Sequence, residues 1–203
     1  MVDSFSNAGG DKLSASGGPS WARLTGLVQE GFALYGLEGQ SLRDFMREAL
    51  GMSDAYIEGA VSTVFLDYKP VDDLDGAVIR PGCLVSLSAA MPGLVGAVMR
   101  RNSPYASFRE AISHGGHTEQ EEAQKDKRCI VRVKLFNAVM REHGPLLLSQ
   151  GIMLEPDRIA AAIGTPLPDG YSAEHGAPGL VLLRSLAEHG VPGAAGAFGA
   201  PRP

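Results

Sequence analysis

The 203-residue chain has little of what marks several common classes of protein. It contains only two cysteines, Cys83 and Cys129, each inside an apolar run. Buried thiols that behave as small apolar groups are therefore expected rather than a disulfide framework, and a reducing compartment fits. The formal charge is −5, from 18 basic and 23 acidic residues. Because nucleic-acid binders usually carry a basic face, this balance argues against a nucleic-acid partner.

Long apolar runs are also lacking. The longest, residues 89–99, has about half the length needed to cross a bilayer, and it contains Pro92 and two glycines. The N-terminus has no basic region followed by an apolar stretch, so we expect no signal peptide. These features predict a cytoplasmic protein without a membrane partner.

Recognisable catalytic motifs are missing as well. The sequence has no phosphate-binding glycine loop, no nucleophile elbow and no zinc-finger spacing. His114 and His117 flank a Gly-Gly pair, but two histidines supply at most half of a metal site, and no cysteine or carboxylate stands nearby at ligand spacing. We therefore expect no bound metal and no cofactor.

Composition divides the chain into five parts. Residues 1–20 are mostly small and polar, and residues 165–203 are rich in Gly, Pro and Ala. Both offer too little apolar surface to offset the entropy of ordering, so a disordered leader and a mostly disordered tail are expected. An isolated helix is predicted inside that tail at residues 180–189. The mixed charges of residues 114–128 indicate a solvated linker. Two folded parts remain, a domain at residues 21–113 and a strand-helix extension at residues 129–164.

A capped amphipathic helix is the clearest element of the first domain. Ser41 can accept a hydrogen bond from a backbone amide of the first turn, and Asp44 stands where a carboxylate favours the positive helix end. Gly51 fits the left-handed residue that ends a helix. Apolar residues recur with helical period, namely Leu42, Phe45, Met46, Ala49 and Leu50.

Strands are predicted on both sides of this helix. Residues 21–37 carry two apolar clusters separated by glycines, which indicates two short strands joined by a turn. Residues 52–60 are interpreted as a connection, and the β-branched residues 61–66 as a central strand.

The region after that strand is rich in turn signals. Residues 67–70 form a turn, and Arg80-Pro81-Gly82 suits a type II turn with proline and glycine at its centre. A strand at residues 83–87 follows. Three carboxylates lie between the two turns, those of Asp72, Asp73 and Asp75. We interpret them as solvated side chains rather than a cation site.

The elements then follow the order strand, strand, helix, connection, strand, turn and strand. This is the layout of a ubiquitin-like β-grasp domain, an α+β fold with a mixed sheet and one main helix. Over about residues 24–96 the sequence resembles the sulfur-carrier branch of that fold, which serves thiamine and molybdopterin synthesis. Asp67-Tyr68 stands where that family commonly has Asn-Gly. The segments that carry the resemblance are EGQSLRDF (38–45), VFLDYKPV (64–71) and IRPGCLVSL (79–87).

The resemblance also implies where a functional tail should stand. Sulfur carriers end in a free Gly-Gly, whose carboxylate is adenylated by a partner enzyme and converted to a thiocarboxylate. Here the matching place reads Pro92-Gly93-Leu94-Val95-Gly96, and the chain continues. A glycine inside a peptide bond has no carboxylate to activate. Gly93, Leu94, Val95 and Gly96 are therefore the candidate residues for partner binding or for processing.

The remainder is predicted to alternate between helix and strand. Residues 105–112 form a short helix with an apolar stripe of Tyr105, Phe108 and Ile112. Asn137 is expected to cap a later helix and Gly151 to end it, while His143 is interpreted as a helix-face residue rather than a base. Because the extension is too short to fold alone, it should pack on the first domain or on a second chain. Its elements are a strand at 129–136, a helix at 137–149, a strand at 152–154 and a helix at 156–163.

Three functional hypotheses follow. The first is a non-catalytic β-grasp protein that acts as a protein-interaction or assembly module, with a protein partner and with a homodimer as a further option. The second is a sulfur-carrier-like protein activated by cleavage after Gly96. The third is an enzyme with Cys83 or Cys129 as nucleophile, or with a metal held by His114 and His117.

Overall fold

The computed structural model of the protein describes residues 21–113 and 127–186. Within these residues six α-helices and one short 3₁₀ helix (Ala106–Ile112) accompany eight strands. The helices are α1 (Trp21–Glu30), α2 (Leu42–Glu48), α3 (Asp54–Gly59), α4 (Gly93–Met99), α5 (Asn137–Gln150) and α6 (Pro156–Ile163). The strands are β1 (Phe32–Leu37), β2 (Thr63–Leu66), β3 (Lys69–Pro70), β4 (Leu84–Ser88), β5 (Arg128–Phe136), β6 (Ile152–Leu154), β7 (Tyr171–His175) and β8 (Val181–Ser185).

All eight strands form one open, mixed sheet in the order β3-β2-β4-β5-β1-β6-β8-β7. Neighbouring strands run antiparallel except β4 and β5, which are parallel, with Leu84 opposite Arg132 and Ser88 opposite Phe136. The fold class is α+β, as predicted. β5 lies at the centre of the sheet between β4 and β1, although a long segment separates it from β4 in the chain. The predicted extension therefore packs on the first domain by entering its sheet.

The two faces of the sheet differ in polarity. Along β5, Val131, Val133 and Leu135 are fully buried, whereas Arg132 on the other face is exposed. This confirms the predicted alternation, which follows from the two-residue period of a strand. The buried residues of α1, α2, α3, α5 and α6 belong to the same core cluster as these three side chains. The helices therefore cover one face, and the other face carries a smaller buried cluster of Ala33, Met153 and Ala177.

The N-terminal part differs from the prediction, because α1 takes the place of the first predicted strand. Leu24, Leu27 and Val28 are buried together in the core. Their spacing of three and four residues places them on one face of a helix, which a strand could not do. Gly31, with a φ of +117°, ends the helix by donating its amide to the carbonyl of Leu27 at 3.1 Å. β1 then confirms the second predicted strand.

The predicted helix is confirmed as α2. The Ser41 hydroxyl accepts from the Asp44 amide at 3.0 Å and donates to the Asp44 carboxylate at 2.8 Å. Gly51 adopts the left-handed φ of +65°. The connection predicted at residues 52–60 is wrong, because it contains α3, capped by the Ser53 hydroxyl and anchored by buried Ile57. The serine cap was a readable signal, but the helix is too short to show a clear period.

Both predicted turns are present. Asp67 and Tyr68 join β2 to β3 with φ values of +49° and +67°, the two left-handed residues of a type I′ hairpin turn. The Asp67 carboxylate holds this turn by accepting from the Leu84 amide at 2.8 Å. Gly82 has a φ of +77°, and the Cys83 amide donates to the Arg80 carbonyl at 3.1 Å. These values confirm the type II turn. The chain then continues into β4, which pairs with β2.

The extension has the predicted order β5-α5-β6-α6. Gly151 ends α5, as expected, by donating its amide to the Leu147 carbonyl at 2.8 Å. The capping role predicted for Asn137 is wrong: Phe136 stands at the cap position, and the Asn137 amide group donates to the Ser88 hydroxyl at 2.9 Å. α5 also continues through Pro145.

The sheet continues into the stretch that was predicted to be mostly disordered. β7 and β8 form a hairpin that pairs with β6. The helix predicted at residues 180–189 is wrong where the structure describes it, because Val181–Ser185 is β8. Leu183 and Ser185 are buried on alternate positions, the two-residue period of a strand. The leader, nearly all of the charged linker and the end of the tail lie outside the described residues. No helix within residues 21–113 and 127–186 is long and apolar enough to cross a membrane.

Candidate protein-docking surface

The four residues singled out in the sequence lie at the start of α4. Pro92 precedes the helix, Gly93 opens it with a φ of +78°, and Leu94 and Val95 are 73% and 68% exposed. Gly96 is buried, and a methyl group there would collide with the carbonyl of Met91. Only glycine lets the helix curl this closely against the preceding chain. The segment is therefore a short helix with its two large apolar side chains outside.

The neighbouring 3₁₀ helix repeats this arrangement. It confirms the short helix predicted at residues 105–112, but the apolar stripe does not face the core. Phe108 is 79% exposed, Tyr105 and Ile112 are also exposed, and the Tyr105 and Phe108 rings stack with centroids 6.4 Å apart. Five of the seven large apolar side chains exposed in the described residues lie here and on α4, the others being Tyr68 and Leu186. We call Leu94, Val95, Tyr105, Phe108 and Ile112 the apolar surface.

Arg109 fixes the segment from inside. This arginine is only 2% exposed, although it lies in the 3₁₀ helix between Phe108 and Ile112. Its guanidinium donates to the Val98 carbonyl at 2.7 Å, to the Ser113 hydroxyl at 2.8 Å and to the Asp72 carboxylate at 2.7 Å. One side chain thus ties α4, the 3₁₀ helix and the turn after β3 together.

Asp72 accepts a second hydrogen bond, from the Asn102 amide at 3.0 Å. Burial alone would raise the pKa of the Asp72 carboxyl, but the hydrogen bonds from Arg109 and Asn102 outweigh it and hold this pKa below its usual value. Asp72 is therefore a half-buried, paired carboxylate rather than a solvated one, whereas Asp73 and Asp75 are exposed, as expected. Asp73 closes its own turn by accepting from the Asp75 and Gly76 amides, and Asp75 pairs with Arg43 at 2.8 Å.

Arg101 forms a second attachment. It is 9% exposed, donates to the carbonyls of Ile57 and Val61, and pairs with the Glu58 carboxylate at 2.8 Å. Its own amide also donates to the Ser62 carbonyl at 2.8 Å. The segment is therefore held against α3 and the start of β2. Arg100, the adjacent residue, is exposed and pairs with no carboxylate of the described residues.

These contacts give the segment an inverted character. Two arginines are buried and neutralised by Asp72 and Glu58, while leucine, valine, phenylalanine, tyrosine and isoleucine face outward. Buried arginines are normally rare, and they persist only when paired. The arrangement holds an apolar surface in a defined shape on the outside of the protein. Sequence reasoning found Leu94 and Val95 but missed the two buried arginines, since Arg101 merely ends an apolar run and Arg109 stands among mixed residues.

The thiols proposed as nucleophiles are poorly suited to that role. Cys83 and Cys129 are both buried and free. Burial raises the pKa of the Cys83 thiol to about 11 and also raises the pKa of Cys129. Both groups therefore stay protonated at neutral pH, and a neutral thiol is a weak nucleophile.

The described residues offer little for a metal ion or a small molecule. His114 and His117 lie outside the described residues. Within residues 21–113 and 127–186, no three His, Cys, Asp or Glu side chains come together in a way that could hold a metal ion. A cleft of about 170 Å³ beside the smaller buried cluster is small for a ligand site, and the Arg158 that lines it donates to the carbonyls of Leu27 and Gly31.

One polar cluster links α3 to α5. The Tyr56 hydroxyl donates to the Glu142 carboxylate at 2.6 Å, and the Tyr56 ring packs on the His143 ring with centroids 4.3 Å apart. Burial and the Glu142 carboxylate raise the pKa of Tyr56, and burial lowers the pKa of His143. His143 is thus a neutral packing residue, which agrees with its interpretation as a helix-face residue. No nucleophile of the described residues forms a hydrogen bond with this cluster. We interpret it as a structural link between α3 and α5.

Comparison with known proteins adds no assignment: no protein family, no curated protein and no solved structure gives a significant match.

Proposed function

We propose that the protein is a non-catalytic interaction or assembly module that binds a protein partner through the apolar surface. The observation that carries this proposal is the inverted segment around α4, with Arg101 and Arg109 inside and Leu94, Val95 and Phe108 outside. Exposing large apolar side chains costs solubility, and clusters of them commonly mark interaction sites. Aromatic side chains held in a fixed position also supply much of the binding energy at protein interfaces.

The charge beside this surface limits the chemistry of the partner. Residues 92–109 contain three arginines and no acidic residue, and the acidic Glu110 follows directly. Arg101 and Arg109 are satisfied by Glu58 and Asp72, which leaves Arg100 as the exposed cation. A partner that presents an apolar face with a carboxylate at its rim would complement this arrangement.

We further propose that five of the strands form a β-grasp sheet in a changed chain order. In a β-grasp domain the first and last strands lie parallel at the centre, and each is flanked by an antiparallel neighbour. The order β3-β2-β4-β5-β1, with only β4 and β5 parallel and with α2 following β1, supports this. β5 then corresponds to the first β-grasp strand, which arrives late in the chain because α1 occupies its expected place.

The resemblance to sulfur carriers agrees with the position of the apolar surface. In those proteins the segment after the last β-grasp strand enters a partner enzyme. Here the segment after β4 leads directly into Gly93 and α4. A carrier role would require cleavage after Gly96, and that bond lies inside α4, whereas proteases prefer exposed, extended loops. Docking needs no cleavage of the segment. The geometry therefore favours docking over a carrier role.

The first test compares the full chain with a Leu94→Ser/Phe108→Ser variant and with Tyr68→Ser as a matched control. Tyr68 is as exposed as Phe108 but lies in the β2–β3 turn. Each protein is immobilised, incubated with an extract of its native source and analysed by quantitative mass spectrometry. We expect at least one protein that is retained by the wild type and the control and reduced about tenfold or more by the double variant. Equal retention by all three would contradict the proposal.

A second step tests the chemistry with the purified partner. Arg100→Glu should weaken binding about tenfold, and a carboxylate-to-lysine change at the rim of the partner's interface should restore it. Vesicles of anionic phospholipid serve as the competing probe. If the wild type bound these vesicles, and the double variant alone lost that binding, a membrane surface would replace a protein as the partner and the proposal would fail.

A further inference from the structure

The β7–β8 hairpin lies at the edge of the sheet far from α4. The Leu186 amide donates to the Gly170 carbonyl at 2.7 Å, and the Gly176 amide donates to the Leu180 carbonyl at 3.2 Å. In an antiparallel ladder, hydrogen-bonded and non-hydrogen-bonded residue pairs alternate, and these two hydrogen-bonded pairs show which residues belong to each kind. Even-numbered residues of β7 therefore bond to β8, and the amide and carbonyl of Ala173 point away from it.

This outer edge differs from the opposite one. β3, at the other end of the sheet, has only two residues, one of which is Pro70 with no amide hydrogen to donate. A short edge strand with proline is a usual protection against pairing with another chain. β7 has five residues and no proline, and no strand of the described residues pairs with its outer side. Within the part of the chain that the structure describes, the sheet is thus blunted at β3 and unpaired at the outer side of β7.

A second copy of the same chain is complementary to this edge. On a two-fold axis through Ala173, its amide and carbonyl face those of Ala173 of the partner subunit, as in a hydrogen-bonded antiparallel pair. Ser172 then lies opposite the partner's Glu174, so like charges do not meet. Glu174 is already paired with Arg184 of its own subunit at 3.4 Å.

We propose that β7 pairs antiparallel with β7 of a second copy across a two-fold axis at Ala173, which joins two sheets into one continuous sheet. The apolar surface lies near β2, which is separated from β7 by the width of six strand spacings, roughly 29 Å. Pairing at β7 leaves both apolar surfaces accessible. The dimer would therefore present two identical docking surfaces, and a bivalent partner would bind it more tightly than the monomer.

Proline substitution tests the hydrogen-bonding alternation directly. Ala173→Pro removes only the outward amide and leaves the bonds between β7 and β8, whereas Ala173→Val keeps the amide and a strand-forming side chain. Sedimentation of the full chain across a range of concentrations should show a dimer for the wild type and for Ala173→Val. Ala173→Pro should raise the dissociation constant at least about tenfold. A wild type that remains monomeric, or a dimer that survives the proline, would overturn the proposal.

Cross-linking gives a readout that does not depend on weakening the strand. Cα atoms of a hydrogen-bonded antiparallel pair are about 5.5 Å apart, within the range that a disulfide spans. With added diamide as oxidant, Ala173→Cys should form a covalent dimer as two thiols lose two protons and two electrons to the oxidant. Ser172→Cys, which faces the partner's Glu174 instead, is the matched control. Equal cross-linking of both variants would exclude the two-fold register.

Discussion

Replacing Arg109 with methionine should detach the segment that carries the apolar surface while the sheet stays folded. Methionine keeps much of the volume of the buried side chain but none of its donors. The Asp72 carboxylate, the Val98 carbonyl and the Ser113 hydroxyl would each lose a hydrogen bond of 2.7 to 2.8 Å. Because these partners stay in place, the Val98 carbonyl loses this donor and the Asp72 carboxylate keeps the hydrogen bond from the Asn102 amide.

The magnitude follows from the burial of the pair. Removing one partner of a buried ion pair costs about 3–5 kcal/mol. The Arg109 side chain is 1% exposed and that of Asp72 is 36% exposed, so water can replace part of the lost interaction at the carboxylate. We therefore expect a loss near the lower end, about 3 kcal/mol. If the free energy needed to open this segment locally falls by that amount, the fraction of molecules in which the segment is open rises about a hundredfold.

Limited chymotrypsin digestion measures that opening, because Tyr105 and Phe108 are cleavage sites within the segment. Cleavage there should accelerate about a hundredfold in Arg109→Met, provided that opening is fast relative to cutting. Arg100→Met is the control, since Arg100 is exposed and has no ionic partner in the described residues. Arg109→Met combined with Asp72→Asn should cost less than the sum of the single changes. If Arg109→Met and Arg100→Met were cut at the same rate, the anchoring role assigned to Arg109 would be wrong.

Two further predictions concern stability. Gly96→Ala should lower the free energy of unfolding by about 1–3 kcal/mol, because its methyl group meets the Met91 carbonyl, whereas Gly59→Ala on α3, where a methyl group meets open space, should be neutral or slightly stabilising in urea denaturation. Burial lowers the pKa of His143 from its usual 6.5, so the unfolded chain binds more protons below that pH, and stability should fall as the pH drops from 6.5 towards 5. His143→Phe should flatten that part of the pH profile in urea titrations; an unchanged slope would assign the pH dependence to other groups.

Local elements were predictable where the signal was local. The cap at Ser41, the glycine at position 82 of the type II turn and the alternation along β5 all depend on a few neighbouring residues, and the structure confirms them. α1 was missed because Gly26 inside it and Gly31 after it looked like breaks between strands. β8 was missed because the four-residue apolar run at residues 180–183 does not distinguish a strand from a helix by period alone.

The candidate surface was predictable only in part. The resemblance to sulfur carriers directed attention to Gly93, Leu94, Val95 and Gly96, and two of these side chains are indeed exposed on α4. Nothing in the local pattern showed that Phe108 and Ile112 would face outward, because an apolar stripe normally faces the core. Their exposure depends on Arg109, whose partner Asp72 stands 37 residues earlier in the chain.

The sequence alone determined the fold class, the capped helix α2, the strand-helix order of the extension and the lack of familiar catalytic motifs. These are properties of composition and of short-range periodicity. Tertiary structure decided that β5 enters the centre of the sheet beside β4, that the β7–β8 hairpin extends it, and that two arginines are buried beneath an apolar surface. Strand order and the pairing of distant charges depend on contacts between residues far apart in the chain, and no local pattern encodes which of the available partners will meet.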